Sequence, residues 1–277
     1  MRMFGAGAVC ALMAIAVGVA PASAQPGSLR AFGSQVAPMF EGWYKNDDGT
    51  ATILVGFFNP NADQTIDLPV GELNRFEPGP EDRGQPTHFP PGRAWGVLSI
   101  QVPGDFDGDL RWVLTANDQP ASIPVHLQAP YFVEPLRDAA NGNEPPTIRF
   151  ASAGPGFTGP PTGIAHTMSG RVGTPLDLSV WTSDVKPEGG GEGGPGGFRR
   201  SALTLRWHQH GGPGSVEFGE ASQRFTESAD QNPMTTATFS VPGEYVLRAE
   251  ALDETGVGGG GFQCCWTSAL VKVTVSP

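Results

Sequence analysis

Glycine and proline interrupt this chain so often that a long helix has nowhere to form: 39 glycines and 27 prolines stand among 277 residues. In a helix interior Gly costs about 1 kcal/mol and Pro about 3 kcal/mol relative to Ala, so helix propagation is stopped again and again. Between the breaks lie short runs of alternating apolar residues bounded by Gly, Pro, Asn and Asp, the pattern of half-buried strands. In the first half Thr50 to Phe58, Gln64 to Val70, Arg93 to Pro103 and the stretch from Asp109 to Gln128 read this way. In the second half Leu176 to Trp181, Ala202 to His208, two strands joined through Pro242-Gly243, and Trp266 to Ser276 do the same. The expected fold class is all-β, with two tandem β-sandwich domains.

The first 24 residues carry a different message. Arg2, an apolar run from Met3 to Ala20 and the small-residue site Ala22-Ser23-Ala24 make up a secretory signal peptide, with cleavage expected after Ala24. Its apolar run is short of a comfortable membrane span, and no later stretch is long enough to cross a bilayer. Cys10 lies inside this segment without a Leu-led lipobox and is expected to leave with it. The protein is thus expected in the periplasm or outside the cell. Removing 24 of 277 residues leaves 253, with 16 basic against 28 acidic side chains, a net charge of −12. That balance argues against nucleic acid and against anionic membrane surfaces as partners. The polar stretch from Arg137 to Pro146, ending in a double proline, divides the expected domains, residues 25–140 and 141–277.

In the second domain the segments "NEPP" at residues 143–146, "GTPLDLSVWTSD", "PGEYVLRAEALDETG" and the closing "VKVTV" resemble a PKD or related immunoglobulin-like bacterial module. The resemblance covers roughly residues 143–276 and implies a seven-strand sandwich used as a spacer, adhesion or binding module. An inflated loop, "KPEGGGEGGPGGFRR", and the insertion "FQCCW" depart from that family. No family is identified for residues 25–140.

His210-Gly211-Gly212-Pro213-Gly214 matches the "HGGPG" oxyanion loop of proline iminopeptidase-type hydrolases letter for letter. That chemistry also needs a Gly-x-Ser-x-Gly elbow and a later histidine, and the chain has neither. The expectation is a strand ending in a glycine turn, with Trp207 facing the core and Arg206 and His208 facing outward. No enzyme is expected. His208 and His210, one residue apart on a strand, project from the same side and could share a transition metal with further ligands; the ordinary outcome is a polar, solvent-facing strand end. Glu144, Asp184, Asp253 and Glu254 stand where sandwich modules can hold Ca2+ in loops, against the simpler reading of solvated turn carboxylates. No cofactor is expected, with Ca2+ or a transition metal as the alternatives.

Cys264 and Cys265 are the only cysteines after the signal segment, so an intramolecular disulfide must be vicinal; two thiols or an interchain bond are the alternatives. Phe76, His88 and Phe89, on a proline-rich stretch from Asn74 to Gly92, are the aromatic residues expected to reach the surface and contact a ligand. Together these readings describe an exported, non-enzymatic binding, adhesion or structural protein, with a protein or glycan at the cell envelope as partner. A glycan-binding accessory and a periplasmic metal-binding protein are the rival readings.

Overall fold

The computed structural model describes residues 30–134, 136, 142–185, 203–227, 229–257 and 264–277. The signal segment with Cys10, residues 137–141 of the linker and the glycine-rich loop at 188–197 lie outside the described residues. The chain is all-β, and its buried apolar residues gather in two main cores, each wrapped by its own strands to form a lobe.

In the first lobe the strands are β1 (Ala37–Lys45), β2 (Thr50–Asn59), β3 (Ile66–Asp67), β4 (Asn74–Glu77), β5 (His88–Phe89), β6 (Gly92–Pro103), β7 (Arg111–Ala116) and β8 (Gln119–Pro124). They pair in the orders β1-β2-β6, β4-β7-β8 and β3-β5. The β1–β2 hairpin turns where Asp48-Gly49 predicts: Asp48 Oδ1 accepts from the Thr50 amide at 2.9 Å, and the Gly49 amide bonds the Asn46 carbonyl at 3.1 Å. Ile53, Val55, Trp112 and Leu114 fill the core between the sheets. The strand expected over Gln64 to Val70 shrinks to β3, whose two residues pair with β5.

Two of the expected surface aromatics are corrected here. Phe76 and Phe89 are both 0% exposed. Phe76 belongs to β4 and stacks on Trp112 with ring centroids 5.8 Å apart, while Phe89 meets Phe57 edge to face at 4.9 Å. The prolines permit this because β4 is an edge strand and β5 is only two residues long, so neither needs a full ladder of amides. His88 stays half-buried, its Nδ1 2.7 Å from Asp67 Oδ1 across the β3–β5 pair.

The second lobe contains β9 (Thr147–Arg149), β10 (Ile164–Arg171), β11 (Leu176–Ser179), β12 (Trp181–Ser183), β13 (Leu203–Gly211), β14 (Val216–Phe218), β15 (Ser222–Phe225), β16 (Met234–Phe239), β17 (Gly243–Asp253) and β18 (Trp266–Ser276). A five-stranded sheet, β10-β18-β17-β13-β15, faces a three-stranded one, β11-β16-β14. All pairs are antiparallel except β10 with β18 within these two sheets. Leu178, Phe239, Leu247 and Val273 lie between the sheets. Tyr245, near the start of β17, donates its hydroxyl to the Val241 carbonyl at 2.9 Å, the corner that immunoglobulin-like sandwiches place at this point. Trp207 is buried, as alternation along β13 requires. Among the described residues no helix is long and apolar enough to cross a membrane.

Candidate functional site at the junction of the lobes

The two lobes meet where the loop at Gly84 to Thr87 and strand β6 of the first lie against the end of β13, the Pro161 segment and the start of β18 of the second. The first lobe's loop at Gly84 to Thr87 docks on the end of β13: the Thr87 amide bonds the His210 carbonyl at 2.9 Å, and His210 Nε2 lies 2.9 Å from the Gly84 carbonyl. Ser99 on β6 bonds the Pro161 carbonyl across the same boundary. Trp266, the first residue of β18, is fully buried with its indole over Gly96. A Cβ at Gly96 would overlap that indole, and its φ of +52° is one that side-chain-bearing residues avoid.

Gly96 sits there because β6 bulges. Val55 pairs with Leu98 and Phe57 with Ala94, so Trp95, Gly96 and Val97 stand opposite Gly56 alone. The bulge re-aims Trp95 away from the ladder. Gly56 has no side chain for a second reason: a Cβ would overlap Glu41 and the Ala94 carbonyl. Glu41, buried under the bulge, pairs with Arg93 Nη2 at 2.5 Å and accepts from the Gly96 amide at 2.7 Å. Burial pushes its carboxyl up to about 7, against the opposing pull of Arg93 and the Gly96 amide. Arg93 in turn lies over the Trp95 ring, 4.0 Å from its centroid.

A cleft of about 280 Å³ opens at this junction. The first lobe contributes Pro90, Pro91, Arg93 and Trp95, and the second contributes Arg206 and His208 from β13 and Arg248 and Glu250 from β17. The second-lobe residues form a square because β13 and β17 are in register: Arg206 is opposite Glu250, and His208 is opposite Arg248. Glu250 is the hub. It accepts from Arg248 Nη1 at 2.8 Å and from His208 Nε2 at 3.0 Å, with Arg206 Nη1 at 3.9 Å. Burial alone would raise the Glu250 carboxyl, but the Arg248 charge and the His208 bond outweigh it and hold it well below the usual carboxylate range. Burial and the nearby Arg248 charge lower the His208 pKa, against the bond to Glu250, so at pH 7 the ring is neutral and donates through Nε2. Burial takes His210 down to about 4; its neutral ring donates Nε2–H to the Gly84 carbonyl.

This corrects the expected exposure of His210. The residue is 5% exposed, because the first lobe's loop covers the strand end that an isolated sandwich would show to water. Gly212 to Gly214 do turn the chain, packed on Tyr245 and Val241. The remaining candidates are scattered. Asp253 is buried and caps its own turn, Oδ1 accepting from the Thr255 amide at 2.7 Å, while Oδ2 accepts from Asn143 Nδ2 at 2.5 Å. Glu144 and Glu254 are exposed and Asp184 is half-buried. Among the described residues no group of three or more His, Cys, Asp or Glu side chains converges closely enough to hold a metal ion. Cys264 and Cys265 are fully buried and joined to each other beside Trp266.

Sequence reasoning missed Arg93, Trp95, Arg248 and Glu250. A signal for the last two was present: on adjoining strands "RWH" and "RAE" both place polar residues at alternate positions around an apolar one, which predicts a shared polar face.

No family model matches the chain, and no curated protein sequence matches it. Among solved structures, the D0-D1 domain of intimin is similar over 87% of this chain and 100% of its own, at 11% identity and a TM-score of 0.25. The Yersinia pseudotuberculosis adhesin InvE is similar over 91% of this chain and 61% of its own, at 11% identity and a TM-score of 0.25. The titin Ig tandem domains A164-A165 are similar over 88% and 98%, at 12% identity and a TM-score of 0.21. Likeness at this level carries no argument about what the chain binds.

Proposed function

We propose that this is an exported, non-enzymatic binding protein of the cell envelope that holds a sugar in the cleft between its two domains, residues 25–140 and 141–277, the second a PKD-like module. The observation that carries the reading is the cleft itself. It combines an apolar wall of Trp95, Pro90 and Pro91 with hydrogen-bonding groups of Arg206, His208 and Arg248, and ligand sites pair apolar walls with a few placed polar groups in this way. Its volume is at the small end of such sites, matching a single sugar ring rather than a polymer groove. Two sandwiches serving only as a spacer have no need of buried charges at their junction, where apolar contact would hold them as well.

The test is calorimetric titration of monosaccharides into the full-length protein and into Trp95→Ala. Binding that weakens at least about tenfold in the variant supports the reading. Binding unaffected by Trp95→Ala places the ligand elsewhere and refutes the cleft. Deleting residues 74–92 is unsuitable as a test, since Phe76 and Phe89 in that stretch are core residues.

A further inference from the structure

Resting on the sugar-binding reading of the cleft, we infer that the ligand is a carboxylated sugar whose acid group is received by Arg206 and Arg248. Among the described residues, the lining of the cleft carries three guanidinium groups, of Arg93, Arg206 and Arg248, against one carboxylate, Glu250. Matching Arg93 to the buried Glu41 beneath it still leaves Arg206 and Arg248 facing Glu250 alone. A positive cleft stands out in a chain whose net charge is −11. His208 adds a donor rather than charge and is bonded to Glu250, while His88 is taken up by Asp67.

The geometry of the two arginines points the same way. Arg248 has a side chain only 5% exposed, and its Nη1 serves both Glu250, at 2.8 Å, and the Ser268 hydroxyl, at 3.0 Å. Among the described residues its Nε and Nη2 make no hydrogen bond, although the side chain lines the cleft. Arg206, 40% exposed, comes no nearer to Glu250 than 3.9 Å and makes no hydrogen bond among the described residues. A largely desolvated guanidinium with unused donors favours an anion strongly, because water no longer screens it. The planar fork of a guanidinium fits a carboxylate in particular. Bare inorganic anions have no face to lay on Trp95 and the two prolines, whereas a uronate presents both the acid group and the C–H face of a ring.

Isothermal titration with D-glucuronate, D-glucose and hexanoate, on the full-length protein and on Arg206→Gln, tests this. The expected result is glucuronate bound at least about tenfold more tightly than glucose or hexanoate, with the advantage over glucose lost in Arg206→Gln and reduced by added salt. Arg206 is partly exposed and makes no hydrogen bond among the described residues, so the variant folds, and circular dichroism checks that it has. Glucose binding as tightly as glucuronate, with Arg206→Gln silent, overturns the acid-group inference and leaves the sugar site standing. Hexanoate binding as tightly as glucuronate overturns the sugar while keeping the anion. Absence of binding by all three refutes both this inference and the reading beneath it. A D-glucuronate trimer that competes with the monomer identifies a chain end as the source, and a trimer that fails to compete identifies the free acid; each supports a uronate in the cleft.

Discussion

His210 should contribute a pH-dependent share of the junction's stability, and His210→Gln should remove that share. Burial holds the ring at about 4 against an ordinary value of 6.5. In the unfolded chain the ring protonates as the pH falls through 6.5; in the folded protein it resists until about 4. The unfolded state therefore binds the extra proton in this window. The stabilisation is complete above 6.5 and is lost as the pH falls toward 4. At about 1.4 kcal/mol per pH unit, the gap corresponds to about 3 kcal/mol over the whole window and about 2 kcal/mol by pH 5.

Glu41 works in the opposite sense. Its carboxyl is raised to about 7 from 4.5, so its contribution is complete below 4.5 and is lost as the pH rises through 7. In the wild type the two effects offset each other between about 4.5 and 6.5, and a single pH profile would hide both. The difference between wild type and His210→Gln isolates the histidine, because Glu41 is common to both. Urea unfolding followed by tryptophan fluorescence, at pH 7 and pH 5, should show the wild-type advantage shrinking by about 2 kcal/mol at the lower pH. A difference that does not change with pH would show that the His210 ring titrates normally, and the buried contact with Gly84 would then be wrong.

Gly96→Ala should loosen the junction by about 2 kcal/mol or more, since a Cβ there overlaps the Trp266 indole at a positive φ; differential scanning calorimetry showing wild-type melting would contradict that packing. Tyr245→Phe removes the hydroxyl bond to the Val241 carbonyl and should cost about 1 kcal/mol in urea unfolding, with no loss counting against the corner. Trp207→Ala, in the core of the second lobe, should cost about 3 to 5 kcal/mol, and a cost within about 0.5 kcal/mol would mean the side chain is at the surface.

Strand-level features of this fold are legible in the sequence because they depend on local alternation. The Asp48-Gly49 turn, the burial of Trp207 between two outward neighbours, and the long run of β17 from Gly243 to Asp253 are each decided within ten or so residues. What escaped depended on partners far along the chain. Phe76 and Phe89 sit between prolines that mark a loop, yet each turns into the core, because an edge strand and a two-residue strand tolerate missing amides. His210 reads as a strand end facing water, and its burial comes from a carbonyl 126 residues earlier in the chain. Trp95 and Gly96 look like ordinary members of an alternating strand, and only the register with β2 reveals the bulge.

The charges at the junction follow from the same distinction. Arg206, His208, Arg248 and Glu250 occupy outward positions on two neighbouring strands, and in a lone sandwich they would be a solvated polar face of no special chemistry. The first lobe changes their surroundings without touching their sequence. By covering the strand end at His210 and setting Trp95, Pro90 and Pro91 opposite, it removes water from one side and leaves an opening on the other. Desolvation then makes the pairing of Glu250 with Arg248 obligatory, since a buried charge without a partner costs several kcal/mol. It also leaves the spare guanidinium donors facing the cleft, where an arriving anion meets little competition from solvent. The site is therefore a property of the docked pair of lobes, and substitutions that separate them, such as Gly96→Ala, should weaken ligand binding while leaving the four charged residues in register on their own sheet.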